Sequence, residues 1–212
     1  MSARKGKGRM KPMQKSVRFG LFAVVGMTII LSGCATGSGY VTLSYLPQYN
    51  VTRIPGTELR RAQVIVIDQR AIRDRVSARK NMKGVEMAPI VATNDVAGVL
   101  TDAMEAELAN RGYVVDAGGA VIEVRLQKLY TDFNVGFWSR RADTESLFNV
   151  RVLNVDGQEL FQKNIREEWS KPGMTMSAKR VNKALDAALR EMVQSLFRDP
   201  VFLDAVNRGF PI

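Results

Sequence analysis

The pattern of apolar and polar residues predicts two central strands. Val64–Ile67 is a continuous β-branched run, which is typical of a strand buried on both faces. In Val121–Tyr130 apolar residues alternate with charged or amide residues, and a period of two predicts a strand with one buried face. Its inward set is Ile122, Val124 and Leu126. These two segments form the centre of the predicted sheet.

Shorter signals predict the remaining strands. Tyr113–Val115 reads as a short strand, and Gly118-Gly119 as the turn after it. Farther along, Thr144–Asn154 alternates with Phe148 on the apolar face. The dipeptide after it, Asp156-Gly157, is typical of a tight hairpin, so the next segment should pair antiparallel with its neighbour. That last predicted strand is Glu159–Trp169.

A period of 3.6 replaces the period of two in two longer segments, which predicts two amphipathic helices. The first carries an apolar face of Val96, Val99, Leu100, Ala103, Met104 and Leu108. Thr93 or Asn94 can cap it, and Gly112 can end it in a left-handed conformation. The second follows Ser177 as its cap. Its stripe is Val181, Ala184, Leu185, Ala188, Leu189, Met192, Val193, Leu196 and Phe197. Asp199-Pro200 starts a short terminal helix.

The order of these elements predicts an α+β fold, because a helix with one apolar stripe needs a sheet to cover. We expect a two-layer sandwich with a mainly antiparallel sheet of four to five strands, two long helices on one face and a short C-terminal helix. Residues 62–212 form the single predicted domain. The polar stretch 71–88 has no clear period and is interpreted as a mobile loop. Residues 34–61 begin with small residues and contain prolines, which favours a tether. Within it Tyr40–Tyr45 alternates weakly, which favours a surface strand.

The first 33 residues have the layout of a bacterial signal peptide. A basic arm precedes an apolar run, Phe19–Leu31, that is 13 residues long, whereas a spanning helix needs about 20. The run ends in Leu31-Ser32-Gly33-Cys34, which resembles a lipobox. In that motif the cysteine receives a diacylglyceryl group and becomes the N-terminus, with a fatty acid such as palmitate. The alternative is an ordinary signal peptide or signal anchor in which Cys34 is only a small apolar residue.

Two further expectations follow from this leader. Ala35 stands where an aspartate would retain a lipoprotein at the inner membrane, so the outer membrane is the expected location, with the domain facing the periplasm. Met10 or Met13 is an alternative start to Met1, and neither changes the mature chain. Since Cys34 is the single cysteine, its acylation leaves no thiol for a disulfide, and the core alone must stabilise the domain.

The charge balance changes once the leader is set aside. The chain has 31 basic and 21 acidic residues, a formal net charge of +10. Residues 1–33 hold 7 of the basic residues and none of the acidic ones, so 24 and 21 remain. This near balance removes most of the electrostatic support for nucleic-acid binding, and no nucleic-acid partner is expected.

Most catalytic constellations are excluded by composition. The chain has no histidine, which removes histidine-based nucleophile systems and metal sites, and no glycine-rich phosphate loop is present. No cofactor, no metal and no enzymatic activity are expected. Carboxylate pairs remain available, and a hydrolase acting on cell-wall glycan is the least favoured hypothesis. These carboxylates are interpreted as solvated surface groups: Asp102, Glu105, Glu107, Asp143 and Glu145.

Three groups of residues are candidates for binding. A basic loop could contact anionic lipopolysaccharide, phospholipid or peptidoglycan, or could simply be solvated. Its members are Arg70, Arg73, Arg75, Arg79, Lys80 and Lys83. Phe133, Phe137 and Trp138 lie in a predicted connection, either as a docking surface or as a cover for the core. Asp68 and Arg70 form either a strand-end ion pair or part of a partner site.

The order of these motifs resembles the YajG-type family of bacterial envelope lipoproteins. The resemblance is carried by the lipobox at Cys34 and by the segments 64–70 (VIVIDQR), 108–115 (LANRGYVV), 126–132 (LQKLYTD) and 177–198. It implies an outer-membrane lipoprotein with no assigned activity. We therefore expect a non-enzymatic accessory lipoprotein, held on the membrane by its lipid, that binds an envelope protein or polymer. The alternative is an auxiliary component of an envelope transport or assembly machine, which would require a fixed partner.

Overall fold

The structure, a computed structural model, describes residues 38–135, 140–172 and 177–210. These residues contain eight strands and three helices. The strands are β1 (Gly39–Val41), β2 (Arg61–Asp68), β3 (Ser77–Lys80), β4 (Glu86–Ala92), β5 (Val114–Val115), β6 (Ala120–Val135), β7 (Arg140–Leu153) and β8 (Glu159–Pro172). The helices are α1 (Val96–Asn110), α2 (Ala178–Phe197) and α3 (Pro200–Arg208).

All eight strands join one mixed sheet with β6 at its centre. On one side of β6 lie β7 and then β8. On the other side β2, followed by β5, pairs with the first half of β6, and β3, followed by β4 and β1, pairs farther along it. β6, β7 and β8 are antiparallel neighbours, whereas β2 runs parallel to both β5 and β6. The predicted antiparallel sheet of four to five strands was therefore wrong in strand number and in direction. Three of the strands, β1, β3 and β5, have only two to four residues, and so short a segment does not show a period of two in the sequence.

The helices pack on one face of this sheet, and the apolar side chains of both layers form one core. The other face is open to solvent. This arrangement corrects the expectation that Val64–Ile67 is buried on both faces, because Val64 is buried while Ile65 and Ile67 are exposed. The β-branched run therefore reflects strand propensity rather than cover from both sides.

A β-bulge in β6 exchanges the two faces of that strand. Leu126 pairs with Phe148 and Lys128 pairs with Leu147, so Gln127 is an extra residue. Before the bulge, even-numbered residues such as Leu126 are buried, and after it odd-numbered residues through Phe133 are buried. The strand thus continues well past its predicted end.

The second half of the predicted loop 71–88 is a β-hairpin, which corrects that expectation. β3 and β4 pair antiparallel, with Arg79 opposite Ala88. The turn is held by Asn81, whose Oδ1 accepts hydrogen bonds from the backbone N–H of Lys83 and Val85 at 2.9 and 3.0 Å. The turn and the start of β4 are exposed, and β3 has only four residues, so the sequence pattern resembles that of a solvated loop.

Helix α1 is capped by Asp95 and not by Thr93 or Asn94, which corrects the predicted cap. The carboxylate of Asp95 accepts from the first free N–H groups of the helix, at 3.0 Å in the case of Gly98. Thr93 and Asn94 instead bind the chain at and just after β1. The Thr93 hydroxyl donates to the backbone carbonyl of Val41, and Asn94 forms two hydrogen bonds with the backbone of Leu43.

The segment that was predicted to be a tether contributes to the domain from Gly39 onward. β1 pairs with β4, and Val41 and Leu43 are buried in the core. The next residues lie along α2: the N–H of Thr42 donates to Asn182 Oδ1, and the N–H of Ser44 donates to Asp186 Oδ1, both at 2.9 Å. This segment is therefore clamped between a strand and a helix.

The C-terminal hairpin and helices were confirmed, but the predicted side-chain cap at Ser177 was not. The turn at Asp156-Gly157 joins β7 to β8, and Gly157 has a φ of 81°. Helix α2 buries the whole predicted stripe and begins after Ser177, whose side chain makes no cap hydrogen bond. Asp199 caps α3 by accepting from the N–H of Val201 at 2.9 Å, and Pro200 occupies the first turn.

Candidate binding groove on the open face of the sheet

The loop between β2 and β3 leaves part of β6 without a strand neighbour on one of its two sides. The pairing of β2 with β6 ends at Asp68 and Leu126, and that of β3 begins at Ser77 opposite Thr131. Within the described residues, 128–130 therefore have strand partners only on the β7 side, and Gln127 has none on either side. The bulge at Gln127 falls in the same place. Bulges commonly redirect side chains beside binding sites, and here the bulge brings Lys128, Tyr130 and Asp132 to the open face.

Two adjoining hollows share Lys128, Tyr130 and Asp132, and we call them together the β6 groove. The first has a volume of about 480 Å³ and extends over β7 and β8. It is also lined by Arg141, Asp143, Thr144, Glu145, Glu168, Trp169 and Ser170. The second, of about 440 Å³, lies under the loop and is completed by Arg70, Ala71, Ile72, Gln127 and Leu129. Both volumes are in the range of small-molecule and peptide side-chain sites.

The carboxylates of the first hollow are all held in ion pairs. The pairs are Lys80 with Asp132 at 2.5 Å, Arg141 with Asp143 at 3.1 Å, Lys128 with Glu145, Arg166 with Glu145 at 3.0 Å, and Arg166 with Glu168 at 2.7 Å. Exposed pairs of this kind contribute only about 0–1 kcal/mol each to stability. They do present fixed donors and acceptors of both signs along the hollow.

Tyr130 stands between the two hollows. Its hydroxyl lies 3.5 Å from Glu86 Oε1, and Glu86 is also held by Arg75 at 3.1 Å. Burial raises the pKa of Tyr130, so the phenol stays protonated and can donate a hydrogen bond. Beside it, Ile72 is exposed on the loop and gives the second hollow an apolar wall.

Arg70 closes the second hollow and forms the predicted strand-end ion pair. Its Nε and Nη2 donate to the two carboxylate oxygens of Asp68 at 3.0 and 2.9 Å, and its backbone N–H donates to the same group. Burial opposes ionisation of Asp68, but the hydrogen bonds from Arg70 outweigh it, and the pKa of Asp68 is lowered. Arg70 is buried, and its Nη1 has no hydrogen-bond partner among the described residues.

Four of the six basic residues that were predicted to form one loop are engaged by other groups of the domain. Arg70 is paired with Asp68, and Lys80 with Asp132. Arg75 is paired with Asp74 and Glu86, and Arg73 donates to the backbone carbonyl of Arg70 at 3.2 Å. The other two, Arg79 and Lys83, lie on the β3–β4 hairpin. The pairings of Arg75 and Lys80 could not be predicted from the sequence, because they depend on the hairpin.

Of the three aromatic residues, Phe133 alone is among the described residues. It is fully buried in β6, because the bulge turns it into the core, so the docking alternative was wrong for this residue and the core alternative holds. Phe137 and Trp138 lie outside the described residues, as do Cys34 and the lipobox residues Leu31, Ser32 and Gly33. Tyr130 and Ile72 were not among the predicted site residues, because the groove depends on the bulge in the pairing of β6 with β7 and on the course of the loop after β2.

Glu107, which was predicted to be solvated, is fully buried, so that prediction was wrong. One of its carboxylate oxygens accepts from the Tyr45 hydroxyl at 2.6 Å and from the N–H of Gln48 at 2.9 Å. The other is 2.5 Å from Nη1 of Arg111, which also packs over the Phe197 ring. Burial and the hydrogen bond to Glu107 raise the pKa of Tyr45. This cluster fastens the N-terminal segment over α1.

Neither a metal site nor a membrane span is found among the described residues. No group of three or more metal-ligating side chains is placed to hold an ion in 38–135, 140–172 or 177–210. None of the helices described is long and apolar enough to cross a bilayer.

The fold is an α/β domain with helices on one side of the sheet and a polar, grooved face on the other. Residues 47–206 match the model of a protein family described as "Uncharacterized lipoprotein". The chain therefore belongs to this family of lipoproteins. No curated protein matches it in sequence.

The chain is similar to several solved structures at low sequence identity, and one of them, with a TM-score above 0.5, shares its fold. The chain is similar to protein XCC0632 of family DUF330 from Xanthomonas campestris, with a TM-score of 0.53 and 16% identity over 79% of this chain and 99% of that one. It also matches a minor lipoprotein from Acinetobacter baumannii, with a TM-score of 0.44 and 7% identity over 70% and 94% of the two chains. A third match is a putative lipoprotein from Caulobacter crescentus, with a TM-score of 0.37 and 12% identity over 64% and 88%.

Proposed function

We propose that this lipoprotein is anchored through acylated Cys34 to the outer membrane, faces the periplasm, and serves as a non-enzymatic accessory protein that binds an envelope protein or polymer in the β6 groove. Membership of a lipoprotein family rests on residues 47–206. The lipobox at 31–34 lies outside that segment, so the two observations support the anchor independently. The motif order further supports assignment to the YajG type within such lipoproteins.

The pairing of charges in the groove is the observation that carries a binding role. A glycosidase needs one carboxylate that stays protonated and one that is free to attack or to activate water. In the first hollow Asp132, Asp143, Glu145 and Glu168 each have a cationic partner instead. Fixed charges of both signs, a protonated Tyr130 and an apolar wall at Ile72 suit a ligand that combines hydrogen-bonding and apolar groups.

The anchor is tested by metabolic labelling with a radioactive fatty acid. The wild-type chain should incorporate label, and Cys34→Ser should remain as an unlabelled, unprocessed precursor. Ala35→Asp should still be labelled but should move to the inner-membrane fraction. Absence of label in the wild type would contradict the anchor, and an unchanged location of Ala35→Asp would contradict the sorting assignment.

The groove is tested by recovery of partners from detergent-solubilised membranes. Tyr130→Ala and Ile72→Ala should each lower recovery of whatever binds the wild type, because they remove the hydroxyl and the apolar wall of the groove. Val155→Ala, on the exposed turn between β7 and β8, is the matched control and should retain full recovery. A partner at fixed stoichiometry would favour the machine component, and recovery equal to that of the control would contradict binding in the groove.

A further inference from the structure

The turn of the β3–β4 hairpin carries an unusual set of exposed apolar side chains. Met82 is 80% exposed, Val85 56% and Met87 53%. These three residues fall within six positions of one another in the sequence, and large apolar groups clustered at a projecting turn commonly mark an interaction surface. The turn extends beyond the paired part of β3 and β4, where Lys80 and Glu86 form the last pair.

The start of β1 is directed toward this same end of the domain. β1 runs parallel to β4, with Gly39 opposite Ile90 and Val41 opposite Ala92. The N-terminal end of β1 therefore points the way that the start of β4 points, which is toward the turn. Cys34 precedes Gly39 by five residues, and a chain of that length spans at most about 17 Å. The lipid attachment point cannot be far from this end of the domain.

The hairpin also brings unpaired cations to this end. The Arg79 side chain reaches toward β1, and its Nη2 would lie 3.6 Å from a Cβ placed on Gly39. Lys83 is in the turn and is exposed. Neither residue forms an ion pair with any residue in the described part of the chain. The acidic side chain nearest in the hairpin, Glu86, is already held by Arg75.

Helix α2 begins at this end as well. The same Cβ position on Gly39 would lie 3.6 Å from Ala178, the first residue of the helix. Lys179 and Arg180 in its first turn are exposed and have no ion-pair partner within the described ranges. The end of the domain that receives the anchored chain therefore combines projecting apolar groups with positive charge.

We infer that this end rests on the bilayer that holds the anchor, with Met82, Val85 and Met87 at the boundary of headgroups and acyl chains. The four cations, Arg79, Lys83, Lys179 and Arg180, face anionic phospholipid headgroups. An apolar set flanked by basic residues is the composition that binds a lipid surface in this way. The inference depends on the proposed lipid anchor. The anchor keeps the end at high local concentration near the membrane, so a weak contact is enough to fix the orientation of the domain.

The orientation is tested with the full-length, processed protein reconstituted in vesicles of phosphatidylethanolamine and phosphatidylglycerol. A fluorophore is attached at Met82→Cys, because acylated Cys34 does not react with the label. The matched control is Val155→Cys, which lies at the other end of the sheet. β3 runs parallel to β6, so the β3–β4 turn lies at the C-terminal end of β6. Val155 follows Leu153, the last residue of β7, which pairs with Val121 near the start of β6. A nitroxide-bearing phospholipid should quench the label at position 82 several-fold more strongly than the label at position 155.

The charge contribution is tested in the same Met82→Cys protein. Lys83→Glu, an exposed change in the turn, should reduce the quenching, and replacing phosphatidylglycerol by phosphatidylcholine should reduce it in the parent protein too. Equal quenching at the two labelled positions, or quenching that is insensitive to both changes, overturns the inference. Failure of the anchor itself gives a different result. The protein without substitutions would then react with the fluorophore at Cys34 and would not float with the vesicles.

Discussion

On its helix-covered side, β6 contributes Ile122, Val124 and Leu126, all fully buried, whereas its open side carries Glu123 and Arg125 as a salt bridge at 2.8 Å. Both sides come from one stretch of alternating residues. The covered side removes apolar area from water, which stabilises the fold by about 25 cal/mol per Å². The open side gains little from its exposed charges and keeps polar groups available for a ligand.

The covered side also contains a few polar groups, and these show the contrast most clearly. Glu107 and Arg111 form a buried pair, whereas Lys128 and Glu145 form an exposed one. A buried charge that loses its partner cannot be solvated, but an exposed charge exchanges its partner for water. Breaking the same kind of ion pair should therefore change the free energy of unfolding much more on the covered side than on the open side.

The largest effect is expected for Glu107→Ala. The change leaves Arg111 buried without its counter-charge and removes the acceptor of the Tyr45 hydroxyl, which should lower the free energy of unfolding by roughly 3–5 kcal/mol. Urea unfolding of the full-length protein in detergent measures it. Asp102→Ala, on the exposed side of the same helix, is the control and should change little. A loss as small as that of the control would refute the buried pair as a main support.

A second large effect is expected for Leu185→Ala in the stripe of α2. Leu185 is fully buried, so the truncation removes apolar contact and leaves a cavity, at a cost of about 2–5 kcal/mol. Lys179→Ala on the same helix is exposed and should be nearly neutral. If both variants melted alike, α2 would not be packed on the sheet as described.

A smaller effect is expected at the start of α3, and it depends on pH. The hydrogen bond from Lys163, at 2.7 Å, lowers the pKa of Asp199. A lowered pKa in the folded state stabilises the protein above the unfolded value of about 3.9, and this stabilisation is lost as the pH falls through the folded value. Asp199→Asn keeps an acceptor for the cap, so it should flatten the fall in stability below about pH 4, whereas Asp199→Ala should also cost about 0.5–2 kcal/mol near neutral pH. Equal acid sensitivity of wild type and Asp199→Asn would exclude this contribution.

The smallest effect on stability is expected for Arg166→Ala on the open side. Arg166 bridges Glu145 and Glu168 but is more than half exposed, so its removal should cost at most about 1 kcal/mol. The melting temperature should hardly change, while partner recovery should fall if the groove is the binding site. A large drop in melting temperature would show that the open side also stabilises the fold.

The contrast between the faces explains which parts of the fold could be predicted from sequence. The stripe of α2, the turn at Asp156-Gly157 and the cap at Asp199 depend on local pattern and local chemistry, and they were confirmed. The parallel pairing of β2 with β6 and the two-residue β5 depend on contacts between distant segments. No local period carries that information.

Individual polar side chains were harder still to predict from the sequence. Glu107 has the sequence surroundings of a surface residue, but the N-terminal segment returns over α1 and places Tyr45 against it in the folded chain. Tyr130 was placed in the correct strand, but its exposure depends on the bulge before it. Arg70 was predicted beside Asp68, because residues two apart at the end of a strand are neighbours in any fold.

The extra residue in β6 has a consequence for how the sequence of this strand can vary. Gln127 has an exposed side chain and no partner in β7, so it should accept most substitutions. Deleting it would join Leu126 directly to Lys128, and these two already pair with the adjacent residues Phe148 and Leu147, so the ladder would become regular while Phe133 stayed in the core. A deletion elsewhere in the paired part of β6 would instead move the residues on one side of it to the opposite face. The bulge should therefore be the one place in this strand where the chain can lose a residue without exchanging its faces.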